Sequence, residues 1–172
     1  DIAVLMGGQG SEREISLKSG KAIQLALETM GYNVLAITLE NTLGDIISDL
    51  HSVDLVFLGL HGSIGENGTI QGFLESLGVK YTGSDPLSSA ICMDKNISKI
   101  IARDSKVNTP DWEIVTRSQT FIGDNSEFPL VIKPNDQGST VGLTIVHEKS
   151  ELGPAVNLAF NYSSNAVSYT HL

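Results

Sequence analysis

An α/β fold, with a helix-covered parallel sheet in its first half and a sheet of short strands after it, is predicted by three features of this 172-residue chain. Short apolar runs alternate with helical stripes from Ile2 to about Thr82, the pattern of a parallel sheet covered by helices. The first and third of these runs lead into glycine-rich loops, at the carboxyl ends of strands where such sheets bind ligands. After Thr109-Pro110 the alternation stops and short strand signals replace it.

Each element has its own signal. Ile2 to Met6 is a short apolar strand ending in Gly7-Gly8. A helical stripe follows through Ile15, Ser19, Ala22, Ile23, Ala26, Leu27 and Met30, with Gly31 where a helix stop is expected. Asn33 to Leu39 is the second strand, Asp45 to Leu50 a short helix, and Leu55 to Leu60 a third strand apolar enough to be buried on both faces. Thr69 to Leu77 reads as a helix and Lys80 to Thr82 as a short strand. Ser84 to Ser89 reads as a cap and first turn, leading into one helix through Ile91, Ile97, Ile100 and Ile101. Strands at Trp112 to Val115, Leu130 to Lys133 and Leu143 to His147 come next, then a helix from Glu148 to Phe160. The change of character sets a domain boundary near Asp85, between domains of residues 1–85 and 86–172.

Composition narrows the function. A hydrophobic content of 41% and a mean hydropathy of +0.05 are ordinary for a soluble globular protein. A net charge of -9, with no cluster of Lys or Arg, argues against a nucleic-acid or acidic-membrane surface and leaves small metabolites as partners. The single cysteine, Cys92, excludes an internal disulfide and suits a reducing cytosol. Neither a secretory signal nor a bilayer-spanning run is visible. Starting at Asp1 without a methionine, the chain reads as a fragment or as trimmed.

Four stretches carry chemistry. In GGQGSEREIS, Gly7 to Ser16, the dinucleotide pattern GxGxxG does not fit, and Ser11 with Glu14 forms a capping-box pattern at a helix start. Glu12 stands outside that pair; its carboxylate can hold an ammonium group, or merely complement the helix dipole. In HGSIGENGTIQG, His61 to Gly72, four glycines surround His61 and Glu66, and neither a zinc pair nor a catalytic triad is apparent. His61 can be a ligand contact or a satisfied core histidine, while Glu66 and Gln71 suit bonds within the loop. In SSAICMDKNISK, Lys95 and Lys99 are four apart on a helix, so they share a face that either meets an anion or is solvated. Finally, KPNDQGSTVG delivers Lys133 from a buried strand into a small-residue turn, the reverse of the order in GxxxxGK[ST]. An unpaired ammonium there would be costly, so Lys133 needs an anionic partner, either a phosphate or a nearby carboxylate. Gly138, Ser139 and Thr140 offer further donors.

Together and in this order, GGQGSEREIS, HGSIGENGTIQG, YTGSDPLSSAICMDK and VIKPNDQGSTVG resemble the D-alanine:D-alanine ligase family of the ATP-grasp superfamily, from Ile2 to about His147. The resemblance implies a Rossmann-like N-terminal domain followed by the first part of an ATP-grasp domain, truncated. It also implies a reaction: the carboxylate of one D-alanine attacks the γ-phosphate of MgATP, and the amine of a second D-alanine attacks the resulting acyl phosphate. Glu12 would hold the ammonium of the first D-alanine, and His61 would lie beside its carboxylate. Lys95 and Lys133 would bind ATP phosphates together with Gly138, Ser139 and Thr140, and Ser139 would also link Glu12 to the reacting carboxylate. Ligands for Mg²⁺ or Mn²⁺ are expected beyond Leu172, and the family suggests a cytoplasmic homodimer. Gly10 and Asn67 depart from the family's commoner serine and aspartate without removing a proposed catalytic group. SYTHL does not read as the family's next strand, which puts the nativeness of the last residues in question, and the fragment alone is expected not to turn over. A D-alanine:D-lactate or D-alanine:D-serine ligase of the same fold is the nearest rival, and a non-catalytic nucleotide-binding module is the rival from another class.

Overall fold

A computed structural model describes residues 1–118 and 127–170. The chain divides into two compact units, Asp1–Ala90 and Ile91–Leu172.

In the first unit, β1 (Ile2–Gly7) is the centre of a three-stranded parallel sheet of order β2-β1-β3, with β2 at Val34–Leu39 and β3 at Leu55–Leu58. The β1 run Ala3, Val4 and Leu5 is fully buried, as a central parallel strand should be. Helix α1 (Arg13–Thr29) crosses from β1 to β2 and ends as expected, with Gly31 at φ +88°. Gly20 lets it approach the sheet, since a Cβ there would lie 2.5 Å from Met6 Cβ. A 3-10 turn at Leu43–Ile46 runs into α2 (Ile47–Leu50), and α3 (Ser63–Glu66) and α4 (Thr69–Ser76) follow β3. Leu39, Leu50, Val56, Ile70 and Leu74 form the core beneath them.

Two expectations for this unit need correction. The third strand stops at Leu58, and only Val56 in it is fully buried, because β3 lies at the sheet edge. The strand foreseen at Lys80 to Thr82 is a single bridge of Tyr81 to Val56. There the next amide along β3, Leu58 N–H, donates to the Thr82 side-chain Oγ1 at 3.1 Å rather than to a main-chain oxygen, so the ladder does not propagate.

The division between units falls within α5 (Pro86–Met93). The first turn of α5 packs on the first unit so closely that a Cβ on Gly68 would overlap the Pro86 carbonyl. The single long helix read from Ile91 through Ile101 is two helices, because Asp94 takes an extended conformation (ψ 107°) and caps α6 (Lys95–Asp104) by accepting from Ile97 N–H at 2.9 Å.

The second unit holds an antiparallel sheet of order β4-β7-β5-β6, made of β4 (Trp112–Thr116), β5 (Leu130–Pro134), β6 (Thr144–Val146) and β7 (Asn165–Thr170). Helix α7 (Leu152–Ala159), preceded by a 3-10 turn at Lys149–Glu151, buries Ala155, Val156 and Ala159 in this unit's core. The expectation that the final residues do not form a strand is corrected: β7 pairs with β4 on one side and β5 on the other, and Ala166, Val167 and Ser168 are buried. Among the described residues no helix is long and apolar enough to cross a membrane.

Candidate functional site

In the first unit, the loops after β1 and β3 meet above the carboxyl edge of the sheet. Helix α1 organises both through one face. Ser16, fully buried, accepts from Gly7 N–H at 2.9 Å and donates to the Gly59 carbonyl at 2.7 Å, tying the ends of β1 and β3 together. Ser19, one turn on, lies 3.0 Å from His61 Nε2. Arg13 closes the first loop from the other side, donating to the Gly8 carbonyl at 3.0 Å and pairing with Glu40 at 2.6 Å.

Glu12 stands at the start of this face. The helix begins one residue later than the Ser11/Glu14 pattern predicts: Glu12 itself is the N-cap, at φ -96° and ψ 10°, and no side chain caps the helix. The capping box is therefore absent. The Glu12 carboxylate lies against Gly62 instead, where an added Cβ would collide with Oε2 and come within 3.2 Å of Cδ. Gly62 has φ +64°, in the region that favours glycine.

His61 is not a core histidine. Its side chain is 36% exposed, with Nδ1 3.8 Å from Glu66 Oε1. Gln71 bonds within the loop region, its Nε2 donating to the Gly65 carbonyl at 3.0 Å, while the contact of Glu66 there is the 3.8 Å approach to the His61 ring. A carboxylate and an imidazole thus occupy neighbouring positions on two loops fixed by one helix, a pair suited to the two ends of an amino acid.

The second unit carries a cationic site. Lys95 opens α6, and its Nζ donates to the carbonyls of Asn135 at 3.1 Å and Gln137 at 2.6 Å. Both oxygens belong to the turn between β5 and β6, so that turn and the helix start are locked together. Buried Asn135 completes the lock by accepting from Lys95 N–H at 3.0 Å with its carbonyl and from Asn96 N–H at 3.0 Å with Oδ1. Burial, and then the ammonium of Lys133, lower the Lys95 pKa to about 8. Lys133 projects from β5 over the Tyr169 ring, 5.3 Å from its centroid, and among the described residues no carboxylate forms a salt bridge with it. The structural salt bridge considered for Lys133 is not formed there.

Lys99 does not line a solvated face either. It donates to Thr109 Oγ1 at 2.6 Å and the Pro110 carbonyl at 3.0 Å, with Trp112 and Tyr169 rings about it. Burial first, then Lys133, lower its pKa. In the turn itself Gly138 is half-buried, while Ser139 and Thr140 are exposed. Ser139 takes φ +52°, a conformation that costs a non-glycine residue about 1–3 kcal/mol and is concentrated at ligand clamps. Two ammoniums beside a helix start and a turn, Lys95 held by carbonyls and Lys133 over a tyrosine ring, leave positive charge for a polyanion.

Sequence reasoning missed Ser16, Ser19, Arg13 and Asn135, whose roles arise only when distant segments meet. Among the described residues no group of three or more His, Cys, Asp or Glu could hold a metal ion.

Comparison with known proteins bears on both units. Models described as D-ala D-ala ligase N-terminus and D-ala D-ala ligase C-terminus match residues 42–84 and 101–168. The chain is 44% identical over 169 residues to D-alanine-D-alanine ligase of Bacillus anthracis, covering 96% of this chain and 55% of that protein. It is 45% identical over 152 residues to the enzyme of that name from Aquifex aeolicus, covering 88% and 52%. The crystal structure of D-alanine-D-alanine ligase from Bacillus anthracis superposes with a TM-score of 0.91 at 43% identity, over 99% of this chain and 57% of that one. The structure described as complexed with ATP gives 0.88 at 40% identity, over 99% and 58%. The chain therefore spans about half the length of the relatives it matches.

Proposed function

The chain belongs to the D-alanine-D-alanine ligase family, and on that premise we propose that, within the complete enzyme, it binds the first D-alanine and ATP for formation of D-alanyl-D-alanine. The observation that carries this reading is the Glu12 carboxylate seated against Gly62, next to His61. A nucleotide module without chemistry has no use for such a pair. An amino acid needs an acceptor for its ammonium, which Glu12 supplies, and a partner for its carboxylate, which His61 supplies.

The reaction divides into two transfers. One oxygen of the D-alanine carboxylate forms a bond to the γ-phosphorus of ATP, the bond from that phosphorus to the ADP oxygen breaks, and an acyl phosphate results. The amine of a second D-alanine then adds to the acyl carbon and loses a proton. Collapse breaks the bond between that carbon and the phosphate oxygen, releasing dipeptide and inorganic phosphate. Catalysis of phosphoryl transfer is largely positioning and charge neutralisation. Lys95 and Lys133 supply the positive charge, and Gly138, Ser139 and Thr140 supply donors from the turn. Ser139 is assigned the link from Glu12 to the reacting carboxylate. Mg²⁺, when bound with ATP, neutralises phosphate charge; we assign it no ligand in this chain. Dipeptide for peptidoglycan precursors, made in the cytoplasm by a homodimer, completes the proposal.

The experiment is steady-state kinetics on the complete enzyme. Glu12→Gln should raise KM for the first D-alanine far more than KM for ATP; equal effects would reduce Glu12 to a helix-start carboxylate. Phosphate release with D-alanine alone, giving the dipeptide, supports the assignment, while preference for added D-lactate or D-serine would move it to a ligase of other specificity.

A further inference from the structure

We infer that Ser19 is a positioning residue for His61, fixing which ring nitrogen carries the hydrogen and which way the ring faces. Ser19 Oγ lies 3.0 Å from Nε2, and Glu66 Oε1 lies 3.8 Å from Nδ1. An ionised carboxylate only accepts, whereas a hydroxyl can rotate to donate or accept. At 3.8 Å Glu66 is too far for a hydrogen bond, and its charge only favours the hydrogen on Nδ1. A Ser19 hydroxyl donating at 3.0 Å to Nε2 makes that the held state of the neutral ring. Nε2 is then an acceptor, and the Ser19 hydroxyl donates to it. The hydrogen bond at one ring nitrogen in this way selects the state of the other.

The placement of Ser19 supports a dedicated role. A serine inside a helix is a weaker helix former than alanine, and its hydroxyl commonly bonds back to the helix's own carbonyls. Here both serines on the inner face of α1 reach outward instead. Ser16 is spent on main chain at Gly7 and Gly59. Ser19 reaches a side chain two residues further along, at His61. That side chain needs an anchor, because it is 36% exposed and is followed immediately by Gly62 at φ +64°. The Ser19 hydroxyl meets Nε2 at 3.0 Å, hydrogen-bond distance.

The ring state can be read directly, by two-bond ¹H–¹⁵N correlation spectra of the 172-residue chain at a pH where imidazoles are neutral. The wild-type His61 should show Nδ1 as the protonated nitrogen and Nε2 as the bare one. Ser19→Ala should bring the two ¹⁵N shifts towards each other, and Ser19→Thr should restore their separation. Protonated Nε2 in the wild type overturns the inference without recourse to any variant; so do ring shifts unchanged by Ser19→Ala. The catalytic consequence rests on the role proposed for His61 above. In the complete enzyme Ser19→Ala should raise KM for the first D-alanine by up to about tenfold, the worth of one net hydrogen bond, with KM for ATP unchanged. Ring shifts that respond while this KM stays fixed would uphold the positioning by Ser19 and sink the substrate role of His61.

Discussion

Lys95, the first residue of α6, donates from Nζ to the Gln137 carbonyl at 2.6 Å, so its ammonium is held by the turn between β5 and β6. Burial and the nearby Lys133 ammonium leave it with a pKa of about 8, below the ordinary 10.5. Folding is therefore penalised while this lysine must stay charged. Between about pH 8 and 10.5 the unfolded chain holds a proton that the folded chain has released, so stability rises with pH through that window. Below about pH 8 the full cost is present, and above 10.5 it is gone. Urea midpoints taken across pH 7 to 11 (roughly the titration range of lysines) should show this rise, and Lys95→Met should flatten it.

Lys133→Met tests the coupling between the two ammoniums. Removing the like charge should move the Lys95 pKa upwards, towards 10.5 but not to it, because burial is the larger cause. The Lys95 side-chain titration, followed by ¹³Cε NMR, reports the change. An unmoved titration would mean that solvent screens the pair. The same substitution should weaken ATP binding by about tenfold or more, in line with the loss of one charge-assisted bond of about 1.5–3 kcal/mol.

Much of the first unit was legible because a central parallel strand writes itself as an unbroken apolar run, as Ala3 to Leu5 does, and because Gly31 ends α1 where the stripe of apolar residues stops. The break at Asp94 was legible in principle. Ile91 to Ile97 is a step of six, which no single helical face accommodates, and Asp94 stands three residues before the amide it caps. The start of α1 misled for a local reason: Ser11 and Glu14 have the spacing of a capping box, but the loop brings Glu12 to the cap position and its carboxylate to Gly62. The C-terminal strand could not be read from its own residues. Polar Ser168 is buried only because β4 and β5 flank it, and its partners there, Glu113 and Ile132, lie far back in the sequence. Glu12, His61, Lys95 and Lys133 stood out as polar groups at strand ends and helix starts, whereas Ser16, Ser19 and Asn135 acquire their roles only from neighbours distant in sequence.

Gly62→Ala should act on Glu12. The added methyl would occupy the position of the Glu12 carboxylate, at a residue whose φ of +64° alanine adopts only at a cost. A destabilisation of about 1–3 kcal/mol is expected, seen as a lower urea midpoint. In the complete enzyme the displaced carboxylate should raise KM for the first D-alanine while leaving KM for ATP near its original value. A variant with wild-type KM for D-alanine would show that the ammonium is not held where Glu12 now sits.

Ser16→Ala probes the scaffold beneath that site. The hydroxyl satisfies two main-chain groups at once, Gly7 N–H and the Gly59 carbonyl, and it is fully buried. Alanine fits the same space and is the better helix former, so propensity alone predicts a gain of a few tenths of a kcal/mol. Two buried polar groups left without a partner predict the opposite, at about 1–3 kcal/mol each. The second effect is several times larger, so the urea midpoint should fall. Because the Gly7 N–H, at the end of β1, loses its partner directly, amide exchange should quicken at Gly7 before it does at Ala3 to Leu5 in the middle of that strand. A midpoint unchanged or raised would mean that water reaches both groups and that the ends of β1 and β3 are held by their ladder alone.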